Sequence, residues 1–135
     1  MTAKELCLLA QKAMQGAYAP YSGCKVGAAL LTQNGRVFTG CNIENAAFGP
    51  TVCAERVALF KAVSEGCFEF SALAVAGGKN GVLTGAYPPC GVCRQVLAEF
   101  CRPDFKIYVL TAAETPRCYT LGELLPAAFS KKNLE

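Results

Sequence analysis

Helical and strand-like spacings alternate along this chain, and that alternation limits its fold more than any other feature. Residues Thr2 to Gly16, TAKELCLLAQKAMQG, set Leu6, Leu9, Ala10, Ala13 and Met14 on one helical face and stop at a glycine. Turn residues AYAPYSG follow. The next stretch, KVGAALLTQNGRVFTGCN, holds two apolar runs around Asn34-Gly35, whose access to positive φ predicts a hairpin with a two-residue turn. Helical spacing returns from Val52 to Gly66 in VCAERVALFKAVSEG, and FSALAVAGG after it reads as a buried strand. A third helix is predicted from Gly91 to Cys101, behind two prolines that often precede a helix, with Val92, Val96, Leu97 and Phe100 on one side. KIYVLT is a short strand by composition. Thr120 and Glu123 then have capping-box spacing at the start of LGELLPAAF, a short last helix broken at Pro126, with room for one more strand before it. Strands alternating with helices predict a layered α/β domain around a sheet of about five strands.

The 135 residues suit one domain, and no polar low-complexity stretch interrupts them, so residues 1–135 are read as a single unit. With 53% hydrophobic and 17% charged residues the chain is not a disordered tail. Its net charge of +3 is scattered, and Lys131-Lys132 is the only basic cluster, too little for a surface that tracks phosphates; nucleic acid is not an expected partner. No apolar run approaches the roughly 18 to 20 residues that cross a bilayer, so no membrane partner is expected. The N-terminus has no signal-peptide pattern, which predicts a cytoplasmic protein. In that reducing compartment the nine cysteines should be thiols. Cys7, Cys41, Cys67, Cys101 and Cys118 read as small core hydrophobes.

Cys90 and Cys93, in PPCGVCR, need another account. They fall on the opening turn of the third helix, where free N–H groups and the helix dipole stabilise thiolates. A CxxC pair can cycle through a disulfide, or it can hold zinc together with ligands from elsewhere. The chain has no histidine, so zinc here must be held mainly by sulfur. Cys53 opens the second helix in TVCAER, repeats the thiol-at-helix-start placement, and has Glu55 two residues on. Three ligands with an open fourth position are what a catalytic zinc needs, and Cys53 lacks the nearby partner cysteine of a structural knuckle. Glu55 alone would also suit a helix N-terminus simply because it is acidic. Arg56 and Arg94 each follow a ligand closely enough to donate hydrogen bonds to the sulfurs, and Arg56 is the stronger candidate.

CAE at one helix start and PCxxC at the next resemble the zinc nucleoside deaminases. VGAALLTQNGRVFTGCNIENA, CAERVALFKAVSEG, PPCGVCRQVLAEF and LGELLPAAF together resemble the small cytidine deaminases over nearly the whole chain. The resemblance implies a three-layer α/β/α sandwich with a mixed sheet and a homotetramer with shared active sites. It also implies one zinc per chain on Cys53, Cys90 and Cys93, and a pyrimidine nucleoside as substrate. Glu55 would carry the proton from water to N3 of cytosine and help ammonia leave. Asn42 and Glu44, in CNIENA, would bind ribose hydroxyls, Ala54 would offer backbone groups to the pyrimidine, and Phe129 would stack on the base of a neighbouring subunit.

Two positions depart from the family pattern. Cys24 stands where phenylalanine is usual, and Phe48 where tyrosine is usual. The first removes aromatic bulk near the expected base site, which implies room for small groups on the C4 nitrogen unless Phe48 or Phe129 shifts to fill it. The second removes a hydroxyl near the sugar loop. The rival readings are a deaminase of another cytosine-like compound or nucleobase antibiotic, and a structural-zinc interaction module. The last would need a fourth sulfur, from Cys24 or Cys41.

Overall fold

A computed structural model describes residues 1–113 and 115–135. Helix α1 spans Ala3–Met14, and its start is fixed by a capping box in which Thr2 and Glu5 exchange side-chain and backbone hydrogen bonds. Strands β1 (Cys24–Thr32) and β2 (Val37–Cys41) form the expected hairpin, then come α2 (Ala54–Ser64), β3 (Phe70–Lys79), α3 (Gly91–Phe100), β4 (Lys106–Val109), β5 (Arg117–Thr120) and α4 (Leu121–Leu124). A single 3-10 turn, Lys131–Leu134, follows.

The sheet order is β2-β1-β3-β4-β5. Among the strand pairs of the described residues only β3–β4 is parallel, so the sheet is mixed. Strand β3 lies at its centre and is buried from Ala72 to Gly78, as a strand covered on both faces must be. One face packs on α1 through Leu6, Cys7 and Ala10 against Ala29, Ala72, Ala74 and Ala76. The other face carries Leu30, Leu73, Val75, Ile107 and Val109 against Ala58, Leu59 and Ala62 of α2 and Leu97 of α3. Three layers result. Two glycines set how near the helices lie: a Cβ at Gly27 would strike the α1 backbone at Ala10 and Met14, and one at Gly40 would come 2.5 Å from the Ala54 carbonyl oxygen and 2.6 Å from the Ala58 nitrogen.

One local expectation needs correction. The hairpin turn is longer than two residues: Thr32 N donates to the Arg36 carbonyl, and Gly35 N to the Thr32 carbonyl. Gly35 takes a φ of +91° while Asn34 stays out of the left-handed region, because the Thr32 hydroxyl engages Asn34 Oδ1 and accepts from Arg36 N. The last helix is one turn, ending at Leu124 before Pro126. Its Thr120–Glu123 capping box does form.

Candidate metal centre and nucleoside site

Cys53 and Cys90 are the N-cap residues of α2 and α3, both extended, and neither side chain caps its own helix. Their sulfurs are therefore free for other partners. Cys93 lies one turn into α3 and is buried, Cys53 is half-buried and Cys90 is exposed. The Cys53 and Cys90 sulfurs are 3.7 Å apart, those of Cys90 and Cys93 3.6 Å, and all three lie within 4.8 Å of one another. A tetrahedral zinc about 2.3 Å from each sulfur holds its ligands about 3.8 Å apart, whereas a disulfide draws two sulfurs to about 2.0 Å. The spacing and the all-sulfur donor set fit zinc. Among the described residues this cluster includes neither Cys24 nor Cys41.

The charges around the sulfurs suit thiolates. A hydrogen bond from Cys93 draws the Cys53 thiol down to about 5 against the opposing effect of burial, with Arg56 helping. Cys93, the donor of that pair, is pushed up by the same bond and by burial. Arg56 Nη2 donates to Cys53 Sγ at 3.4 Å, and the thiolate raises the guanidinium's own affinity for its proton. Arg56 Nε is buried without a partner among the described residues. Arg94 has a different task, joining the Pro89 carbonyl at 2.7 Å to the Leu124 carbonyl at 2.9 Å and so tying the start of α3 to α4.

Glu55 sits in the first turn of α2 and is 5% exposed, a buried carboxylate without an ion pair among the described residues. Burial raises its carboxyl to about 7, and the neighbouring Cys53 charge adds to the rise while its own backbone N–H opposes it. A carboxyl poised near neutrality can both take and return a proton. Ala54, beside it, is wholly buried at the first helical position.

The segment after β2 is clamped against this helix start. Ile43 exchanges two backbone hydrogen bonds with Val52, next to Cys53, while Tyr18 N donates to the Asn42 carbonyl and Glu44 N to the Tyr18 carbonyl. Asn42 bridges to β1: its Oδ1 accepts from Val26 N and its Nδ2 donates to the Cys24 carbonyl, each at 2.8 Å. That leaves one amide N–H and one lone pair for a ligand. The Glu44 carboxylate accepts from the Ser22 hydroxyl, from Ser22 N at 3.1 Å and from Tyr21 N at 3.0 Å, and these bonds, Ser22 foremost, lower its proton affinity. Tyr21, Ser22, Glu44, Phe48 and Thr51 line a cavity of about 380 Å³. Phe48 holds a left-handed φ of 61°, is 72% exposed, and meets Tyr21 edge-on with ring centres 6.3 Å apart. A bulky residue in that backbone region costs about 1–3 kcal/mol, which marks the loop as built for a purpose other than packing.

Three predicted residues thus converge at the sulfur cluster beside Glu55, Ala54 and Arg56, and Asn42, Glu44 and Phe48 lie on the loop that abuts it. Cys24 connects to that loop through its carbonyl, and its sulfur accepts a hydrogen bond from the Tyr87 hydroxyl at 3.7 Å. Phe129 does not reach these groups within the chain; it is 59% exposed and its carbonyl accepts from Gln95 Nε2 at 2.8 Å. Ser22 and Tyr87 were not foreseen. Ser22 is hidden in turn chemistry, and Tyr87 carries no motif beyond its place three residues before Cys90.

A mixed α/β/α sandwich with three cysteine sulfurs and a buried glutamate at two adjoining helix starts defines a zinc-site hydrolase of the deaminase kind. The family model for the cytidine and deoxycytidylate deaminase zinc-binding region matches residues 1–110, and the chain belongs to that family. It is 46% identical over 134 residues to a cytidine deaminase of Sporosarcina psychrophila, covering 99% of this chain and 96% of that protein. A cytidine deaminase of Halalkalibacterium halodurans is 48% identical over 91% of this chain and 90% of its own length. Among solved structures, the cytidine deaminase of Burkholderia pseudomallei superposes with a TM-score of 0.87 at 46% identity, covering 96% of this chain and 100% of that one.

Proposed function

We propose that this protein hydrolyses cytidine and deoxycytidine to uridine and deoxyuridine with release of ammonia, as a single catalytic domain over residues 1–135. Cys53, Cys90 and Cys93 would hold one zinc per chain. Zinc, when bound, supplies a Lewis acid that brings the loss of a proton from water toward neutral pH. Glu55 takes that proton, delivers it to N3 of the base, and assists the C4 amino group to leave. Addition of the water oxygen to C4 opens the N3=C4 double bond as N3 takes the first proton. The C4 amino group then leaves as ammonia with the second water proton as the C4=O bond forms, so no oxidant or reductant is needed. Arg56 offsets the negative charge of three thiolates. The one observation that carries this reading is Glu55, a carboxylate buried beside a three-sulfur cluster with no cationic partner bonded to it among the described residues.

Asn42 and Glu44 bind the ribose hydroxyls, Ala54 meets the pyrimidine through its backbone, and Phe48 borders the sugar side of the cavity. The small side chain of Cys24 favours tolerance of groups on the C4 nitrogen. Phe129 belongs to a neighbouring subunit's site in a homotetramer, a role supported by its exposure and by exposed Tyr18, Tyr21 and Phe60 elsewhere on the surface. No helix among the described residues is long and apolar enough to cross a membrane. Pyrimidine salvage in the cytoplasm is the setting assigned to this activity. The test is to incubate purified protein with cytidine and follow ultraviolet absorbance and ammonia together. Equimolar uridine and ammonia, lost on adding a zinc chelator and regained with zinc, are expected. An unchanged spectrum with one zinc bound per chain would rule the reading out.

A further inference from the structure

The space around Cys24 is governed by a residue outside every motif. Tyr87 lies half-buried three positions before Cys90, and its ring is seated on a glycine of the central strand. A Cβ at Gly77 would come within 2.7 Å of Tyr87 Cγ and 3.0 Å of its Cβ and Cδ1, so only a glycine admits the ring there. Gly77 pairs with Val26 and Lys79 with Cys24, which puts the ring on the strand pair that carries Cys24, on the face shared with Val75 and α2. The hydroxyl reaches Cys24 Sγ at 3.7 Å. Tyr87 is thus the aromatic side chain bonded to that sulfur. Cys24 is also joined to the sugar loop, since Asn42 Nδ2 donates to its carbonyl and Ser22 Oγ accepts from its nitrogen while bonding Glu44.

We propose that Tyr87 sets the volume available beside Cys24 and is thereby a specificity-determining residue for substituents on the C4 nitrogen of the nucleoside. The inference rests on the cytidine reading above and deepens it. The ring is pinned from behind by the β3 backbone at Gly77, so it cannot retreat, and a larger side chain at position 24 must displace it. Interiors packed this closely resist added volume. Tyr87 and residue 24 therefore share one space: a small residue at either position leaves room for the substrate, and large residues at both leave none.

The experiment uses the zinc-loaded protein with Tyr87→Ala, Tyr87→Phe, Cys24→Phe and the double variant Cys24→Phe/Tyr87→Ala. The ratio of kcat/KM for N4-methylcytidine to that for cytidine is measured in each. One methyl-sized group in a pocket is commonly worth about tenfold or more in discrimination. Tyr87→Ala should raise the ratio by about that factor, and Cys24→Phe should lower it, less so when Tyr87 is already alanine. Tyr87→Phe keeps the ring and should leave the ratio within about twofold of the parent, consistent with volume as the cause. An unchanged ratio in Tyr87→Ala, or an equal rise in Tyr87→Phe, overturns the proposal. If the parent turns over neither nucleoside, the cytidine reading is what falls. Shared space is then read from thermal midpoints: Cys24→Phe should cost more stability with Tyr87 present than with alanine there, and strictly additive losses overturn the proposal.

Discussion

Cys53 and Cys90 occupy the same backbone position in two different helices, and Cys7 and Cys101 show what burial does to a thiol elsewhere, whereas Cys118, expected in the core, is exposed on the edge strand β5. Cys7 is buried in α1 against the alanine face of the sheet and is pushed up to about 11 by that burial. Cys101, at the end of α3, is pushed up to about 12 for the same reason. In the unfolded chain both ionise near pH 9, the ordinary value for a thiol. Each folded value lies above the unfolded one, so the stabilisation is full below pH 9 and is lost as the pH rises through about 11 for Cys7 and about 12 for Cys101. The urea midpoint should fall between pH 9 and 10.5, and Cys7→Ala should flatten that fall while lowering the midpoint at neutral pH by leaving a cavity. A parent midpoint that stays level to pH 10.5 would contradict this. Cys53 moves the opposite way, down to about 5, because it has hydrogen-bond donors where Cys7 is shifted by burial alone.

At the scale of elements, the placement of α2 depends on β2. Gly40 lies beneath the first two turns of the helix that presents Cys53, Ala54, Glu55 and Arg56, and added bulk there meets helix backbone rather than a movable side chain. Gly40→Ala should shift the start of α2, destabilise the protein by about 1–3 kcal/mol, and weaken zinc binding along with turnover. Competition with a chelating dye reads the zinc affinity; an unchanged affinity would mean that β2 does not set the position of the site. Most elements were legible because apolar periodicity survives in them: α1, β1, β3 and α3 each carry the spacing of the face they bury. The hairpin turn was not, because a threonine hydroxyl rather than Asn34 decides its geometry. The final helix was legible because its Thr120–Glu123 capping box marks the start and Pro126 marks the stop, and the structure ends it at Leu124.

Across the whole molecule the two faces of the sheet are built differently. The α1 face is lined with alanines that let one helix lie flat on β1 and β3, and no residue assigned to the reaction lies on it. The α2 and α3 face is filled with larger side chains, and its open end carries the sulfurs, Glu55 and the loop bearing Asn42 and Glu44. The cysteine and glutamate positions could be picked out in the sequence because a metal with no histidine available leaves few candidates. The contacts of Tyr87 with Gly77 and Cys24 could not, since they join residues 10 and 63 positions apart with no shared pattern. The central claim is that Glu55 moves the proton while three sulfurs hold the metal. The most direct measurement is zinc content and cytidine turnover on the same preparation of Glu55→Gln. One zinc per chain with turnover reduced by about 100-fold or more is the predicted result. Full zinc occupancy with turnover close to that of the parent would contradict it.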